Sequence, residues 1–136
     1  MKKYVIITVM MLGNLLLWGC SDESSNSSID QNTTTEVTIG NPTAQEILEI
    51  DSKADIFQWD SIIYSTNIEW VNELVLTEGD LVGKIEYNTS NPMDFKDSTA
   101  NILPIGTEIF KAKERNDVLI TKYNDELKYY YQLVEG

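Results

Sequence analysis

Residues 55–65, DIFQWDSIIYS, predict the element on which the fold is built. Two β-prone runs flank the Asp60-Ser61 pair, a pattern typical of a hairpin with a two-residue turn. The pairs expected opposite one another are Trp59 with Ile62 and Phe57 with Tyr64. Since these four large side chains then share one face of the hairpin, the pattern favours a place in the core over an exposed ligand platform.

The C-terminal third predicts further strands. A Pro-x-Gly turn opens residues 102–113, which then alternate as a strand. Residues 118–123 and 126–134 predict a second hairpin around the Asn124-Asp125 pair, which tolerates the positive φ angles of a type I′ turn. In that register Ile120 faces Tyr129 and Val118 faces Tyr131. Tyr130 then points to the other side, and we expect it to be the most exposed of the three consecutive tyrosines.

Two short segments predict helices. The Asn41-Pro42 pair supplies an N-cap and a first helical residue for a helix that ends near Ser52. Thr66 and Glu69 have the spacing of a capping box, which predicts a second helix over residues 67–76. The resulting fold class is α+β: a small antiparallel sheet of about five to six strands, built from hairpins, with one or two short helices packed on it.

Residues 88–101 form the longest predicted loop, and long ordered loops often carry binding function. The alternative is a plain surface excursion held in place by Phe95. Asp94 and Asp97 offer oxygen ligands, but they lack the spacing of a calcium-binding loop, so we predict no metal site. The candidate binding surface comprises Trp70, Asp94, Phe95, Asp97 and Tyr130.

Residues 1–20, MKKYVIITVMMLGNLLLWGC, have the layout of an export signal. Two lysines precede an apolar run that ends at Trp18. A run of about 15 residues at 1.5 Å rise covers about 22 Å, which is less than the roughly 30 Å hydrocarbon core of a bilayer. The pattern therefore favours a cleaved signal peptide, residues 1–19, over a permanent membrane span.

The stretch Leu17-Trp18-Gly19-Cys20 resembles the lipobox of bacterial lipoproteins, although Trp18 stands where a small residue is usual. The resemblance implies cleavage before Cys20 and attachment of a diacylglyceryl group to its sulfur. Two acyl chains, such as palmitate, at about 0.8 kcal/mol per buried CH₂ hold a protein far better than one. The expected partner of Cys20 is therefore membrane lipid, and the expected location is the extracytoplasmic side of the cell membrane.

After the lipid-bearing cysteine, residues 20–40 are dominated by Ser, Asn, Thr and acidic residues. Such a segment buries too little apolar surface to offset its chain entropy, so it predicts a flexible linker. Residues 41–136 are the predicted α+β domain.

Charge and composition exclude several classes of function. The chain has 22 acidic and 10 basic residues, for a net charge of −12, and this becomes −14 once the two lysines of residues 1–19 are removed. Such a charge repels nucleic acid. The chain has no histidine and one cysteine, which excludes disulfides, histidine-based nucleophile activation and histidine zinc sites. We predict no cofactor and no enzymatic activity.

Four stretches resemble small extracytoplasmic lipoproteins of Bacillus-like bacteria. They are ADIFQWDSIIYS (54–65), IEWVNELVLTEGDLVGKI (68–85), LPIGTEIFKAK (103–113) and YYQLVEG (130–136). The resemblance implies a compact α+β domain outside the membrane. It carries no catalytic residue across, because the activity of that family is unassigned.

The predicted function is a membrane-tethered binding or regulatory module that acts on an extracytoplasmic protein or a cell-wall component. One alternative is a carboxylate-dependent enzyme acting on cell-wall glycan, which needs two carboxyl groups about 5 to 10 Å apart in a cleft. The other is a structural surface lipoprotein. The sequence leaves the oligomeric state open.

Overall fold

A computed structural model describes residues 40–136. The predicted signal peptide, Cys20 and the linker up to residue 39 lie outside the described residues. Within residues 40–136 the helices are α1 (Ala44–Ile50) and α2 (Glu69–Asn72), and a 3₁₀ turn covers Pro92–Asp94. The strands are β1 (Ile56–Trp59), β2 (Ile62–Ser65), β3 (Glu78–Lys84), β4 (Tyr87–Asn88), β5 (Thr99–Ala100), β6 (Glu108–Ala112), β7 (Val118–Tyr123) and β8 (Glu126–Leu133).

The domain is of the α+β class, as predicted, but its sheet is larger than expected. The described residues form one sheet of eight strands in the order β3-β6-β7-β8-β2-β1-β5-β4, so the prediction of five to six strands is wrong. The sheet is also mixed, because β4 and β5 run parallel while the other pairs are antiparallel.

The sheet curls until its two ends meet. Strands β3 and β4 stand at opposite ends of the strand order, yet only Ile85 and Glu86 separate them in the chain. Eight strands laid flat at about 4.8 Å spacing would hold the outer two about 34 Å apart, whereas three extended residues span about 11 Å. The backbone N–H of Ile85 donates to the carbonyl of Thr107, and that of Glu86 donates to Ser98, each at 2.8 Å. Residues 78–88 thus pass from the β6 side to the β5 side and close the ring.

The first predicted hairpin is confirmed in turn and register. Trp59 pairs with Ile62 and Phe57 with Tyr64, and the turn residues Asp60 and Ser61 have φ angles of 52° and 62°. These are the left-handed angles of a type I′ turn, which matches the right-handed twist of the strands.

The second predicted hairpin is confirmed as well. Ile120 pairs with Tyr129 and Val118 with Tyr131. Asn124 and Asp125 take φ angles of 49° and 65°. Because asparagine and aspartate tolerate this region better than most residues, the two-residue turn forms without glycine.

Helix α1 begins two residues later than predicted. Thr43, and not Asn41, is the N-cap: its hydroxyl accepts from the backbone N–H of Glu46 at 3.3 Å, while the Glu46 carboxylate accepts from the backbone N–H of Thr43 at 2.8 Å. This reciprocal pair satisfies two helix-end donors. Ile50, the last residue of α1, is 86 % exposed.

The predicted capping box at Thr66 does not form, and the second helix is shorter than the 67–76 expected. The backbone N–H of Thr66 donates to the carbonyl of Asp55, which continues the β1–β2 pairing, and Asn67 takes a φ of 63°. Helix α2 therefore starts only at Glu69, without a side-chain cap. It buries Val71 and contacts β8.

Residues 88–101 are not a continuous loop. They contain the 3₁₀ turn and strand β5, whose residues Thr99 and Ala100 pair with β1 on one side and β4 on the other. Within the turn, Asn91 caps the backbone N–H of Met93. The segment therefore supplies part of the ring itself.

Two apolar clusters hold the domain together. The inner core fills the ring and comprises Phe57, Tyr64, Ile85, Ala100, Leu103, Ile109, Leu119 and Tyr130. The outer cluster lies beneath α1 and comprises Ala44, Ile56 and Ile63, with Ile47, Leu48, Ala54, Phe95 and Leu133 packed against it. Because successive strand residues point to opposite faces, Phe57 faces inward while its neighbour Ile56 faces α1. Among residues 40–136, no helix combines the length and apolar character needed to cross a membrane.

Candidate functional site

One end of the ring opens into a cleft with a cavity of about 290 Å³. We call it the aromatic–cationic cleft. Its walls are formed by Trp59, Asp60, Tyr64, Val82, Lys111, Arg115, Asn116, Val118 and Leu119. Strands β1 and β2 supply the aromatic side chains, and the end of β6 with the turn that follows it supplies the cations. The curl of the sheet brings these distant segments together.

The indole of Trp59 packs directly over Gly83, a residue that has no side chain. A Cβ at Gly83 would lie 2.2 Å from Cη2 of the indole, so the indole occupies the space that any other residue at position 83 would fill. The Trp59 side chain is half-buried and packs against the inner core. The indole of Trp59 is therefore a fixed wall of the cleft.

Tyr64 forms the floor beside Trp59. Its ring stacks nearly parallel on Phe57, with centroids 5.3 Å apart and planes inclined by 11°. Burial raises the pKa of the Tyr64 phenol above its ordinary value, and the negative charge of Asp60 raises it further. Tyr64 is consequently a neutral phenol at physiological pH.

Lys111 and Arg115 supply the positive charge. Lys111 ends the inward-facing row of β6 that includes Ile109, and it makes no ion pair with any residue in 40–136. The guanidinium of Arg115 holds Asp117 through two hydrogen bonds, from Nε at 2.7 Å and from Nη2 at 2.6 Å. These hydrogen bonds raise the pKa of Arg115 and lower that of Asp117. The Nη1 donors of Arg115 are not used in this pair.

The charge of the cleft is unusual for this domain. Residues 40–136 carry 18 acidic and 8 basic side chains, and three of those eight, Lys111, Lys113 and Arg115, fall within five positions. The carboxylate of Glu114, which interrupts them, accepts a 2.9 Å hydrogen bond from the backbone N–H of Thr77. This bond lowers the pKa of Glu114. Cationic side chains are thus concentrated at one end of an acidic domain.

Trp70 is the predicted site residue that lies next to this cleft. It is 43 % exposed, and the Arg115 guanidinium carbon lies 5.1 Å from the centre of its ring. Tyr131 meets the same indole edge-to-face with centroids 5.0 Å apart. Arg115 therefore links Trp70 to the cleft by a cation–π contact.

The expectation that Tyr130 is the most exposed of its three tyrosines is wrong. Tyr130 is completely buried in the inner core, where its ring meets Phe57 edge-to-face and its hydroxyl donates to the Asp55 carboxylate at 2.8 Å. The other oxygen of Asp55 lies 3.5 Å from the ammonium of Lys128. Burial and the nearby Asp55 charge both raise the pKa of the Tyr130 phenol.

Asp94, Phe95 and Asp97 all make local contacts in the structure. Asp97 accepts from the backbone N–H of Ser61 at 2.8 Å and from the Gln58 side chain at 3.3 Å, which ties the segment to the β1–β2 turn. Asp94 accepts from the Asn91 amide at 3.0 Å. Phe95 packs on the outer cluster. None of these contacts involves Trp70 or Tyr130, so the candidate residues do not form one site.

Three residues of the cleft were not predicted as site residues from the sequence: Trp59, Lys111 and Arg115. The hairpin pattern predicts a core position for Trp59. This prediction is half correct, since one edge of the indole packs inward and the rest lines the cleft. The run Lys111-Ala-Lys-Glu-Arg115 was the available signal, because it is the densest basic stretch of residues 40–136.

Carboxylates are sparse in the cavities of the described residues. The aromatic–cationic cleft holds one, Asp60, and a cavity of about 220 Å³ near the opposite end of β7 also holds one, Glu126. Two further cavities are lined without any Asp or Glu. Within residues 40–136, no three Asp, Glu, His or Cys side chains are grouped as a metal site requires.

Comparison with protein-family models, with curated proteins and with solved structures finds no match to this chain.

Proposed function

We propose that this chain is a lipid-anchored, extracytoplasmic binding or regulatory module that acts without catalysis and holds its ligand in the aromatic–cationic cleft. The observation that carries the proposal is the meeting of Trp59 and Tyr64 with Lys111 and Arg115 at one end of an otherwise acidic domain. Concave sites with apolar walls and a few placed polar groups are the usual form of ligand sites.

The interior of the ring supports a surface site over an interior one. Phe57, Tyr64 and Tyr130 fill the ring, and Phe57 contacts both tyrosines at centroid distances of 5.0 to 5.3 Å. A small barrel filled by side chains leaves room for a ligand only at its mouths. The cleft is one of these mouths.

The anchor and the charge fit the same proposal. A diacylglyceryl group on Cys20 would fix the chain to the outer face of the membrane, and a polar linker would separate the domain from it. The mature charge of −14 repels anionic headgroups, whereas Lys111 and Arg115 attract a ligand of the opposite sign. The domain would then remain free of the lipid surface and available to a ligand.

No specific contact within residues 40–136 favours the alternative function, a carboxylate-dependent enzyme. Glycoside hydrolysis needs two carboxyl groups across one cleft, and the wall of the aromatic–cationic cleft contributes only Asp60. The neutral phenol of Tyr64 and the cations favour retention of a ligand over attack on it. We therefore propose binding, and no reaction.

The anchor is tested by expressing the full chain in bacteria fed with labelled palmitate. We expect the wild-type chain to take up label and to sediment with membranes. Cys20→Ala should take up no label. Cys20→Ser is the closest match to the wild type, because it keeps the size of the side chain and removes only the sulfur, and it should take up no label either. A labelled Cys20→Ala chain would contradict the anchor.

The cleft is tested by cross-linking in intact cells followed by recovery of the tagged chain. We expect Lys111→Glu to abolish capture of the component that co-purifies with the wild-type chain. Lys53→Glu makes the same charge change on an exposed residue outside the cleft, and should leave capture unchanged. Equal capture by both variants would overturn the assignment of the cleft.

A further inference from the structure

We propose that the aromatic–cationic cleft recognises an acidic carbohydrate, namely a sugar ring that carries one carboxylate. This inference rests on the proposed function, because it names the ligand class of the same cleft. It combines three features of the cleft: a fixed aromatic wall, a pair of cationic side chains with unused donors, and a single carboxylate at the β1–β2 turn.

The aromatic wall suits the apolar face of a sugar ring. The indole of Trp59 packs against Gly83, where a Cβ would lie 2.2 Å from it, and against the inner core, and these two contacts hold its orientation. A rigid aromatic surface loses little conformational entropy when a ligand stacks on it. The cavity of about 290 Å³ lies just below the roughly 300–1,000 Å³ found for drug-sized ligands, so one sugar unit fits better than a long chain.

The cations suit a carboxylate. Lys111 has no ion-pair partner among residues 40–136. Arg115 uses Nε and Nη2 on Asp117, which leaves Nη1 free to donate. Asp117 acts as a positioning residue, because its two hydrogen bonds and the contact of Arg115 with Trp70 hold the guanidinium at the cleft wall. Hydrogen bonds from charged donors to a carboxylate are about twice as strong as neutral ones.

Asp60 argues against a ligand with many negative charges. It lines the same cleft, and its negative charge acts on Tyr64, so a second anionic group beside it would be repelled. The Asp60 carboxylate instead accepts hydrogen bonds from hydroxyl groups, which sugars carry in number, and the Asn116 amide can both donate and accept. A single carboxylate with several hydroxyls therefore matches the cleft better than a phosphate polymer or a polyacidic peptide does.

The test is an NMR titration of the purified full-length lipoprotein in detergent micelles, with the Trp59 indole N–H as the reporter. The probes are a glucuronate–N-acetylglucosamine disaccharide, its methyl ester, inorganic phosphate and a triglutamate peptide. We expect the acidic disaccharide to shift the Trp59 resonance, and the neutral ester to bind at least about tenfold more weakly because it lacks the charge-assisted hydrogen bonds.

Lys111→Met keeps most of the length of the side chain and removes its charge. We expect it to weaken the acidic disaccharide by about tenfold or more and to leave the ester unchanged, whereas Lys53→Met should alter neither. Circular dichroism establishes that each variant is folded. This comparison separates loss of charge from loss of structure.

Three other outcomes would overturn the inference, and they are distinguishable from one another. In the first, phosphate or triglutamate shifts the Trp59 resonance as strongly as the disaccharide does. In the second, no probe shifts that resonance, while Lys111→Glu still abolishes capture in cells. In both cases the ligand class is wrong and the cleft remains the binding site. If no probe shifts Trp59 and Lys111→Glu captures as the wild type does, the ligand class and the proposed function of the cleft both fall.

Discussion

The indole of Trp59 lies so close to Gly83 that a Cβ there would stand 2.2 Å from Cη2 and 2.7 Å from Cζ3. Trp59 ends β1 and Gly83 lies in β3, so this contact joins two strands that are not hydrogen-bonded to each other. It fixes both the closure of the ring and the wall of the cleft.

Gly83→Ala is expected to destabilise the domain. The new methyl group must displace a rigid indole, and overpacking of this kind costs about 1–3 kcal/mol of unfolding free energy. Urea unfolding followed by circular dichroism measures the loss, and the NMR resonance of the Trp59 indole N–H should shift as the indole leaves its position. Gly136→Ala, where a Cβ has nothing within 4 Å, is the control. Unchanged stability of Gly83→Ala would contradict the contact.

Tyr130→Phe is expected to reduce the unfolding free energy by about 1–3 kcal/mol, because it leaves one oxygen of the buried Asp55 carboxylate without its donor. Tyr129→Phe removes the neighbouring hydroxyl, which makes no hydrogen bond within residues 40–136, and should cost less than about 0.5 kcal/mol. Chemical denaturation of the two variants side by side compares their unfolding free energies. Equal stabilities would show that the buried hydroxyl contributes nothing.

The Arg115–Asp117 pair predicts a dependence of stability on pH. The hydrogen bonds from Arg115 hold the pKa of Asp117 below its ordinary value, so the unfolded chain binds the proton more readily than the folded one. The stabilisation is therefore present above the ordinary carboxyl pKa of about 4 and is lost as the pH falls through the lower folded-state value.

An NMR titration of the Asp117 carboxyl carbon tests this directly. Its midpoint should rise toward the ordinary value in Arg115→Gln, and Arg115→Lys should fall between the two because lysine keeps the charge but not the paired donors. An Asp117 midpoint that is the same in the wild type and Arg115→Gln would refute the assignment.

Asp125→Gly is expected to stabilise the domain. Asp125 holds a φ of 65° in the β7–β8 turn, where glycine carries no Cβ penalty, and a type I′ turn with Asn-Gly is the preferred form. Relief of the left-handed Cβ penalty, about 1–2 kcal/mol, outweighs the extra chain entropy of glycine, about 0.5–1 kcal/mol, so we expect a gain of about 0.5–1 kcal/mol in thermal or urea unfolding. Asp80→Gly, at an exposed strand position with a negative φ, should lose about as much. A loss at Asp125 would mean that its side chain has a role beyond the turn.

The hairpins could be predicted from the sequence because their signals are local. The Asp60-Ser61 and Asn124-Asp125 pairs fix the turn, and the turn fixes which residues stand opposite one another. The pattern does not state which face lies inside a curled sheet. The prediction therefore places Tyr130 on the exposed side, although the predicted register of its hairpin is correct.

Structural features that depend on residues far apart in the sequence could not be predicted from local patterns. Strand β5 is only two residues long, and it exists because β1 and β4 lie on either side of it. The N–H of Thr66 was taken up by the β1–β2 pairing, which displaced the expected capping box. The cleft depends in the same way on the approach of β1 to the end of β6, and no local pattern of residues encodes that approach.

Closure of the ring by residues 78–88 has a consequence for the connectivity of the chain. A circular permutant with new termini between Lys84 and Tyr87 would keep every strand but would lose the covalent link between the two ends of the sheet. Its unpaired β3 and β4 edges could then pair with those of another molecule. Because Ile85 and Glu86 hold the β3 and β4 edges beside each other in the native chain, we expect the native chain to polymerise less readily than this permutant.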